Sequence, residues 1–574
     1  MQVTFNNLNQ VWSYILTETL KRLGLKYVVI CPGSRSTPLT VAFVQLIPHI
    51  EAISILDERS AAFFALGRAK ATGRPVVLVC TSGTAGANFY PAVIEATESR
   101  VPLLILTTDR PAELRDCHSG QTIDQVKLYG TYPNWQTELA TPSLDMGMLA
   151  YLRQTLIHAW ERCQIPNSGV VHLNIPFRDP LAPIYDGTSF TLDVEDFFSR
   201  SISTQLPITN YQLPIINDQK GIIIAGVAQP QDPQEYCRAI AHLSQILQWP
   251  VLAEGLSPVR NYADLNPYLI STYDMILRNQ QITQELTPEI VIQIGEMPTS
   301  KELRNWLITT NPQRFIIDNS DQNLDPLHGK TTHLRMSVTE ISNLKLENSG
   351  ESEYLQKWCK IEKQFRNNID NYFTQIDELI ESKTAWLISQ TLPPKTPLFI
   401  ANSMPVRDVE FFWKPNNLKI KTYFNRGANG IDGTLSTALG IAHHQQSSVM
   451  LTGDLALLHD TNGFLIRNKF IGHLTIILIN NNGGGIFEML PIAKFNPPFE
   501  EFFATPQDID FSHLCTTYNV EHKLINSWDE LKDNLKYLPK TGIRVLEIKT
   551  NRKRDVIWRK ENLVGLRGYF KGYD

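Results

Sequence analysis

The chain is poor in cysteine, and what it has is not arranged. Seven Cys are scattered through 574 residues, and no two stand in a CxxC pair. That excludes a thiol metal finger, a redox dithiol and a disulfide framework, and it is the pattern of reduced thiols in a cytosolic compartment. Long apolar runs are also missing; none approaches the ~20 residues that a membrane-spanning helix needs. The opening residues, MQVTFNNLNQ, contain no basic segment followed by an apolar one, so no secretory signal is expected and a cytoplasmic location is. Neither sign of charge dominates. The 53 Lys and Arg against 58 Asp and Glu leave a formal net charge of −5, which gives no reason to expect nucleic acid as a partner. The basic run Asn551-Arg552-Lys553-Arg554 is short and reads as a solvated face. No internal sequence repeat is visible. No GxGxxG fingerprint occurs, so the sequence makes no case for bound FAD or NAD.

What is present describes a soluble globular protein: 43% apolar and 19% charged residues, with length for three or four domains. The dominant pattern is a short apolar run, a turn rich in Gly, Ser or charge, and then a helical periodicity. That alternation predicts α/β domains built on doubly wound parallel sheets. Leu8, Val11, Trp12, Ile15, Leu16, Leu20 and Leu23 have helical spacing. Strands follow at 27–31, 52–56, 75–80, 101–107 and 170–175. Residues 178–215, rich in Pro, Ser, Thr and Asp, read as a linker. A second set of strands is expected at 221–226, 251–252, 291–294 and 315–317. Polar residues 340–375 mark another boundary. A third set begins at 398–401 and ends at 543–548. The domains expected are 1–185, 186–350 with its leading linker, and 351–574.

Strand ends are where open α/β sheets bind ligands, and the charged residues gather there. Ser34 and Arg35 follow the first strand, in a turn that opens a helix and suits anions. Glu58 follows the second, Ser82 the third and Arg110 the fourth, with Gln121 in the next polar loop. Lys301 follows the 291–294 strand. Ser403 and Arg407 follow 398–401, and Arg426 lies in the Gly-rich loop 425–433. Read singly, each has an ordinary structural explanation: a helix-terminal carboxylate favoured by the dipole for Glu58, a solvated lysine for Lys301. His443, His444, His459 and His473 fall in no motif and read as structural or surface residues.

One stretch is more specific than the rest. Residues 449–487 contain two apolar runs joined by a helix-compatible segment, the first ending in Gly453-Asp454 and the second in Asn480-Asn481-Asn482-Gly483. Parallel neighbours would bring Asp454 and Asn481 to one sheet edge. A carboxylate, an amide oxygen and a backbone carbonyl are hard ligands suited to Mg²⁺ that also binds phosphate, and the glycines allow close backbone approach.

Gly-Asp followed by about thirty residues and Asn-Asn resembles the diphosphate and metal motif of the thiamine diphosphate enzyme family. The resemblance implies three α/β domains, pyrimidine-binding, central and diphosphate-binding. It implies thiamine diphosphate as cofactor, with Mg²⁺ or Mn²⁺ held by Asp454, Asn481 and the Gly483 carbonyl. Leu455 stands where the motif usually has glycine. Glu58 matches the glutamate that hydrogen-bonds the aminopyrimidine, Ile431 the apolar support of the bent cofactor, and Ser82, Gly453, Leu455, Gly484 and Ile486 further cofactor contacts. In the family, glutamate and metal come from different subunits, which implies a homodimer or homotetramer.

Within that family, Cys31-Pro-Gly-Ser-Arg-Ser-Thr-Pro-Leu39, Thr108-Asp-Arg-Pro111, Asn425-Arg-Gly-Ala428 and Asn480-Asn-Asn-Gly-Gly484 resemble the members that decarboxylate 2-oxoglutarate and add the remaining fragment to isochorismate, in menaquinone and phylloquinone biosynthesis. That likeness assigns Ser403 and Arg407 to the distal carboxylate of 2-oxoglutarate. It assigns Ser34, Arg35, Arg110, Lys301 and Arg426 to isochorismate, Gln121 to the intermediate's hydroxyl, and Ile486, Phe487 and Leu490 to an apolar wall. Gly120 stands where the family often has Asn. Two alternatives stay open: another thiamine diphosphate enzyme, such as an acetolactate-type synthase, and a non-catalytic module on the same fold.

Overall fold

Three six-stranded sheets, each parallel throughout, organise the chain. They are seen in a computed structural model that describes residues 2–198, 220–320, 322–343, 350 and 352–565. The chain divides into two compact units, one of residues 1–207, 425–445 and 459–471, the other of residues 208–424, 446–458 and 472–574.

In the first unit the strands lie in the order Glu51–Ser54, Tyr27–Ile30, Val76–Cys80, Leu103–Asp109, Val170–Pro176, Trp135–Glu138. The central ones are apolar and buried on both faces, as a parallel sheet covered by helices requires. The expected helix at 8–23 is Leu8–Arg22. Asn7 caps it by accepting from the Gln10 amide at 3.0 Å, and Lys21 and Arg22 sit favourably in its last turn. Helix Glu58–Thr72 packs on helix Thr434–Ala442, which follows the Gly-rich loop 425–433.

The linker reading needs correction at 190–198; its part from 199 to 215 lies outside the described residues, as does the 351 boundary. Phe190–Asp193 is a strand paired antiparallel with Gln2–Phe5, and Val194–Phe198 is a helix. Leu192, Val194, Phe197 and Phe198 are buried in the same core as Trp12 and Leu16. Each such side chain contributes roughly 1.5–3 kcal/mol when buried, enough to hold a segment whose composition alone suggests a tether.

In the second unit the central sheet runs Leu269–Ile270, Val251–Ala253, Gly221–Ala225, Ile290–Ile294, Gln313–Ile317, Thr331–Leu334. Numbered within the sheet this is 3-2-1-4-5-6, the dinucleotide-binding order. The crevice at its switch point is closed on itself. Val227 bridges Glu296 across it, and a Cβ on Gly226 would stand 1.8 Å from the Glu296 carbonyl.

The other sheet of this unit runs Lys421–Tyr423, Pro397–Ile400, Ser448–Gly453, His473–Asn480, Gly542–Lys549, Glu521–Leu524. Its order, 2-1-3-4-6-5, is also that of the first sheet. The likeness between the two ends of the chain is therefore one of topology, without repeated sequence. Helix Glu353–Gln375, capped by Ser352, sends Trp358, Ile361, Phe365, Ile369 and Phe373 into a core shared with residues of both sheets of this unit. Its polar composition reflects only the outer face.

Candidate functional site

In the first unit the charged residues converge at the carboxyl edge of the sheet. Arg35 is 8% exposed. Its Nη1 donates to the Phe177 carbonyl at 3.0 Å and lies 3.7 Å from Asp179, while its Nε is buried with no partner among the described residues. Arg110 Nη1 donates to the Gln121 carbonyl at 2.8 Å and also contacts the Ser82 hydroxyl; Gln121 Nε2 donates to the Ser82 carbonyl at 3.0 Å. Gln121 takes this position with φ of 58°. Burial, then the neighbouring Arg35 charge, draws Arg110 below its ordinary pKa. Two guanidiniums held near one another are stabilised by an anion between them. Ser34 is exposed in the adjoining turn.

Gln125, which sequence reasoning passed over, supports this arrangement from below. Its Oε1 accepts from the Gly83 amide at 2.9 Å, and its Nε2 donates to the Thr108 carbonyl and to Asn174. Nothing in its polar loop context distinguishes it from its neighbours.

Glu58 is the first residue of its helix and half-buried, beside the cap Asp57, which accepts from the Ser60 amide at 3.1 Å. Among the described residues its carboxylate accepts no hydrogen bond. Arg426 and Ile431 lie half-buried on the 425–433 loop, which Glu95 fixes by accepting from the amides of Gly427 and Ala428 at 3.1 and 2.7 Å. His443 is buried and His444 half-exposed, both bonded to one oxygen of Glu51, at 2.9 and 3.0 Å. His443 Nδ1 accepts from the Ile471 amide, so Nε2 carries the proton and has no lone pair for a cation. His459 is exposed and His473 is buried on the Thr541 carbonyl, in keeping with structural or surface roles.

In the second unit, Asp454 begins a short helix after strand Ser448–Gly453 and is 5% exposed. Its Oδ2 accepts from the Gly483 amide and its Oδ1 from the Leu455 amide, each at 2.8 Å. Burial raises its pKa to about 6, helped by nearby Glu381 and opposed by those two amides. Strand register pairs Gly453 with Ile479, so Asn481 arrives at the same edge. Asn481 Nδ2 donates to Glu381 at 2.5 Å, and its Oδ1 is buried with no partner among the described residues. Gly483 has φ of 140°, and a Cβ there would meet the Ala504 carbonyl at 2.4 Å. Gly484 follows, its amide bonded to that same carbonyl. A carboxylate with free lone pairs beside an orphaned buried amide oxygen fits a hard divalent cation. Residues 453–455 and 481–484 would hold it together with a diphosphate.

Ile486 and Phe487 sit half-buried on the next turn, with Phe487 5.9 Å from the Phe503 ring, and Leu490 is 47% exposed. Ser403 precedes helix Met404–Phe412 with φ 70° and ψ −127°, a strained conformation for a side chain, and its carbonyl accepts from Arg407 Nη1 at 2.6 Å. Lys301 is exposed at the start of helix Lys301–Thr310; its cap Ser300 is itself held by Asp274 at 2.5 Å. Thus Arg35, Ser82, Arg110 and Gln121 gather in one unit, and the Asp454–Gly483 and Ser403–Arg407 pairs form in the other.

Known proteins resemble this chain over nearly its whole length. Residues 12–128 match a model of the thiamine pyrophosphate enzyme N-terminal TPP binding domain, and residues 191–400 a model of the middle domain of thiamine pyrophosphate enzymes. Similar proteins carry the name 2-succinyl-5-enolpyruvyl-6-hydroxy-3-cyclohexene-1-carboxylate synthase. That of Nostoc sp. is 72% identical, covering 98% of this chain and 98% of its own. That of Gloeothece citriformis is 65% identical over 98% and 99%, and that of Microcystis aeruginosa 60% identical over 98% and 100%.

Proposed function

Because the chain belongs to the 2-succinyl-5-enolpyruvyl-6-hydroxy-3-cyclohexene-1-carboxylate synthases, a family of thiamine pyrophosphate enzymes, we propose that it decarboxylates 2-oxoglutarate and adds the remaining fragment to isochorismate by 1,4-addition. This makes it a carbon–carbon bond-forming transferase of menaquinone or phylloquinone biosynthesis. The observation that carries the substrate class is the Arg35–Arg110 pair at the first sheet's edge. Burial and the Arg35 charge draw Arg110 below its ordinary pKa, so a further anion at this edge is favoured, and isochorismate is a dicarboxylate.

Thiamine diphosphate, when bound, would supply the nucleophilic carbon and the electron sink for decarboxylation and carbon–carbon bond formation. Everything else falls to this chain. Asp454, Asn481 and the Gly483 carbonyl hold Mg²⁺, or Mn²⁺, against the diphosphate. Glu58 accepts a hydrogen bond from the aminopyrimidine and holds its proton in place. Ser403 and Arg407 orient 2-oxoglutarate by its distal carboxylate; Ser34, Arg35, Arg110, Lys301 and Arg426 orient isochorismate, with Gln121 beside the hydroxyl. Ile486, Phe487 and Leu490 exclude water from the bond-forming step. We place the pyrimidine-binding domain at 1–198, taking in the segment that pairs with Gln2–Phe5, with the central and diphosphate-binding domains following it and dividing near residue 350. The working assembly in this reading is a cytoplasmic homodimer or homotetramer in which Glu58 serves the cofactor of a neighbouring subunit. Sedimentation at working concentration checks it; a monomer with full activity would refute it.

The reaction is tested by incubating the protein with 2-oxoglutarate, isochorismate, thiamine diphosphate and Mg²⁺. CO₂ release coupled to loss of isochorismate is expected. Turnover of pyruvate in place of 2-oxoglutarate would instead favour an acetolactate-type synthase.

A further inference from the structure

We propose that Glu381 is a positioning residue for the cation site, selecting which end of the Asn481 amide is offered to the ion. The inference rests on the reading of Asp454, Asn481 and Gly483 as cation ligands.

Glu381 is the first residue of helix Glu381–Thr391, 3% exposed, and stands 100 residues from Asn481 in sequence. Its carboxylate is pinned from several directions. Oε2 accepts from Arg559 Nη2 at 3.0 Å; Oε1 accepts from Asn481 Nδ2 at 2.5 Å and from the Thr550 hydroxyl at 3.5 Å. Arg559, 2% exposed, is held in turn by both oxygens of Asp408. The backbone amide of Glu381 donates to Asp555 at 3.0 Å. Neither the carboxylate nor the guanidinium can swing away without losing buried partners.

An ionised carboxylate is acceptor-only. Turned toward Glu381, the Asn481 amide can therefore present only its NH₂ end. Rotating it by half a turn would set Oδ1 against a buried carboxylate and leave the NH₂ pointing where a cation must sit. The buried, unpartnered Oδ1 is what this constraint produces. Asn481 is thereby committed to its oxygen before any cation arrives, and Arg559 commits Glu381. This is the outer partner that metal-ligating side chains commonly have, whose loss typically costs 10–100-fold in metal affinity.

The test is Mn²⁺ binding to the full chain, followed by electron paramagnetic resonance at fixed thiamine diphosphate and without substrates. Wild type should bind saturably. Glu381→Gln should weaken Mn²⁺ about 10–100-fold, because a glutamine can offer oxygen or nitrogen and no longer dictates the amide's orientation. Arg559 keeps Asp408 as its partner. Asn481→Asp should also bind weakly, since it opposes two carboxylates. Combining Asn481→Asp with Glu381→Gln should recover at least about tenfold over Asn481→Asp alone, as the glutamine NH₂ then faces the new carboxylate. A merely structural Glu381 would make the double variant worse than either single one, and that result overturns the inference even if Glu381→Gln alone folds poorly. Equal Mn²⁺ affinity in wild type and Glu381→Gln also overturns it. Failure of wild type itself to bind Mn²⁺ would instead refute the cation site, and the inference with it.

Discussion

Replacing Ser403 with glycine should make the protein more stable and a worse enzyme. Ser403 adopts φ 70°, ψ −127°, and its hydroxyl makes no cap hydrogen bond to the helix that follows. Its contact with Arg407 runs through the carbonyl, which glycine keeps. A side chain in such a backbone region costs about 1–3 kcal/mol, and glycine removes that cost while losing about 0.5–1 kcal/mol through its freer unfolded chain. The balance is a gain of roughly 1 kcal/mol, readable as a higher urea midpoint for the unit that contains it. The hydroxyl is assigned to the distal carboxylate of 2-oxoglutarate. A hydrogen bond to a charged group contributes about 1.5–3 kcal/mol, so kcat/KM for 2-oxoglutarate should fall about 10–100-fold with the KM for isochorismate unchanged. Ser403→Ala should show the same kinetic loss without the gain in midpoint, since it keeps the Cβ. A Ser403→Gly protein that is less stable and fully active would refute both halves of the reasoning.

Glu58→Gln should retain thiamine diphosphate in a binding titration and lose about 10²–10⁴-fold in turnover; unchanged turnover would remove Glu58 from the chemistry. Arg407→Ala should chiefly raise the KM for 2-oxoglutarate and Arg35→Ala that for isochorismate, and steady-state kinetics showing both acting on one substrate would refute the division. His172 is buried, bonded to the Thr107 hydroxyl at 2.7 Å, and burial lowers its pKa from 6.5 to about 3. The unfolded chain therefore binds a proton below about pH 6.5 that the folded one refuses, and stability is lost as pH falls from there toward 3. By pH 5 the loss is about 2 kcal/mol. Urea titrations at pH 7.5 and 5 should show a loss of stability about 2 kcal/mol larger in wild type than in His172→Gln; equal pH dependence would refute it.

The buried strands were legible because a parallel sheet covered on both faces needs unbroken apolar runs, as in Val76–Cys80 and Ile290–Ile294. Apart from Glu51–Ser54, the edge strands were not. Trp135–Glu138, Lys421–Tyr423 and Glu521–Leu524 are short and partly exposed, with no apolar run to announce them. Segment 190–198 carried the composition of a tether, and only tertiary pairing with Gln2–Phe5 makes Phe190–Asp193 a strand. Asp454 and Asn481 could be read as partners because consecutive parallel strands bring their ends together. Glu381 could not, because its contact with Asn481 joins distant stretches and depends on Arg559 closing the pair from behind. The strain at Ser403 is likewise a property of backbone angles that no residue type declares.

The proposed reaction joins four carbons of 2-oxoglutarate to isochorismate. Uniformly ¹³C-labelled 2-oxoglutarate, supplied with unlabelled isochorismate, thiamine diphosphate and Mg²⁺, tests it by mass spectrometry. A cyclohexene product carrying four labelled carbons is expected, with the fifth released as ¹³CO₂ in equal amount. Labelled CO₂ without label in any isochorismate-derived product would show decarboxylation without transfer and contradict it.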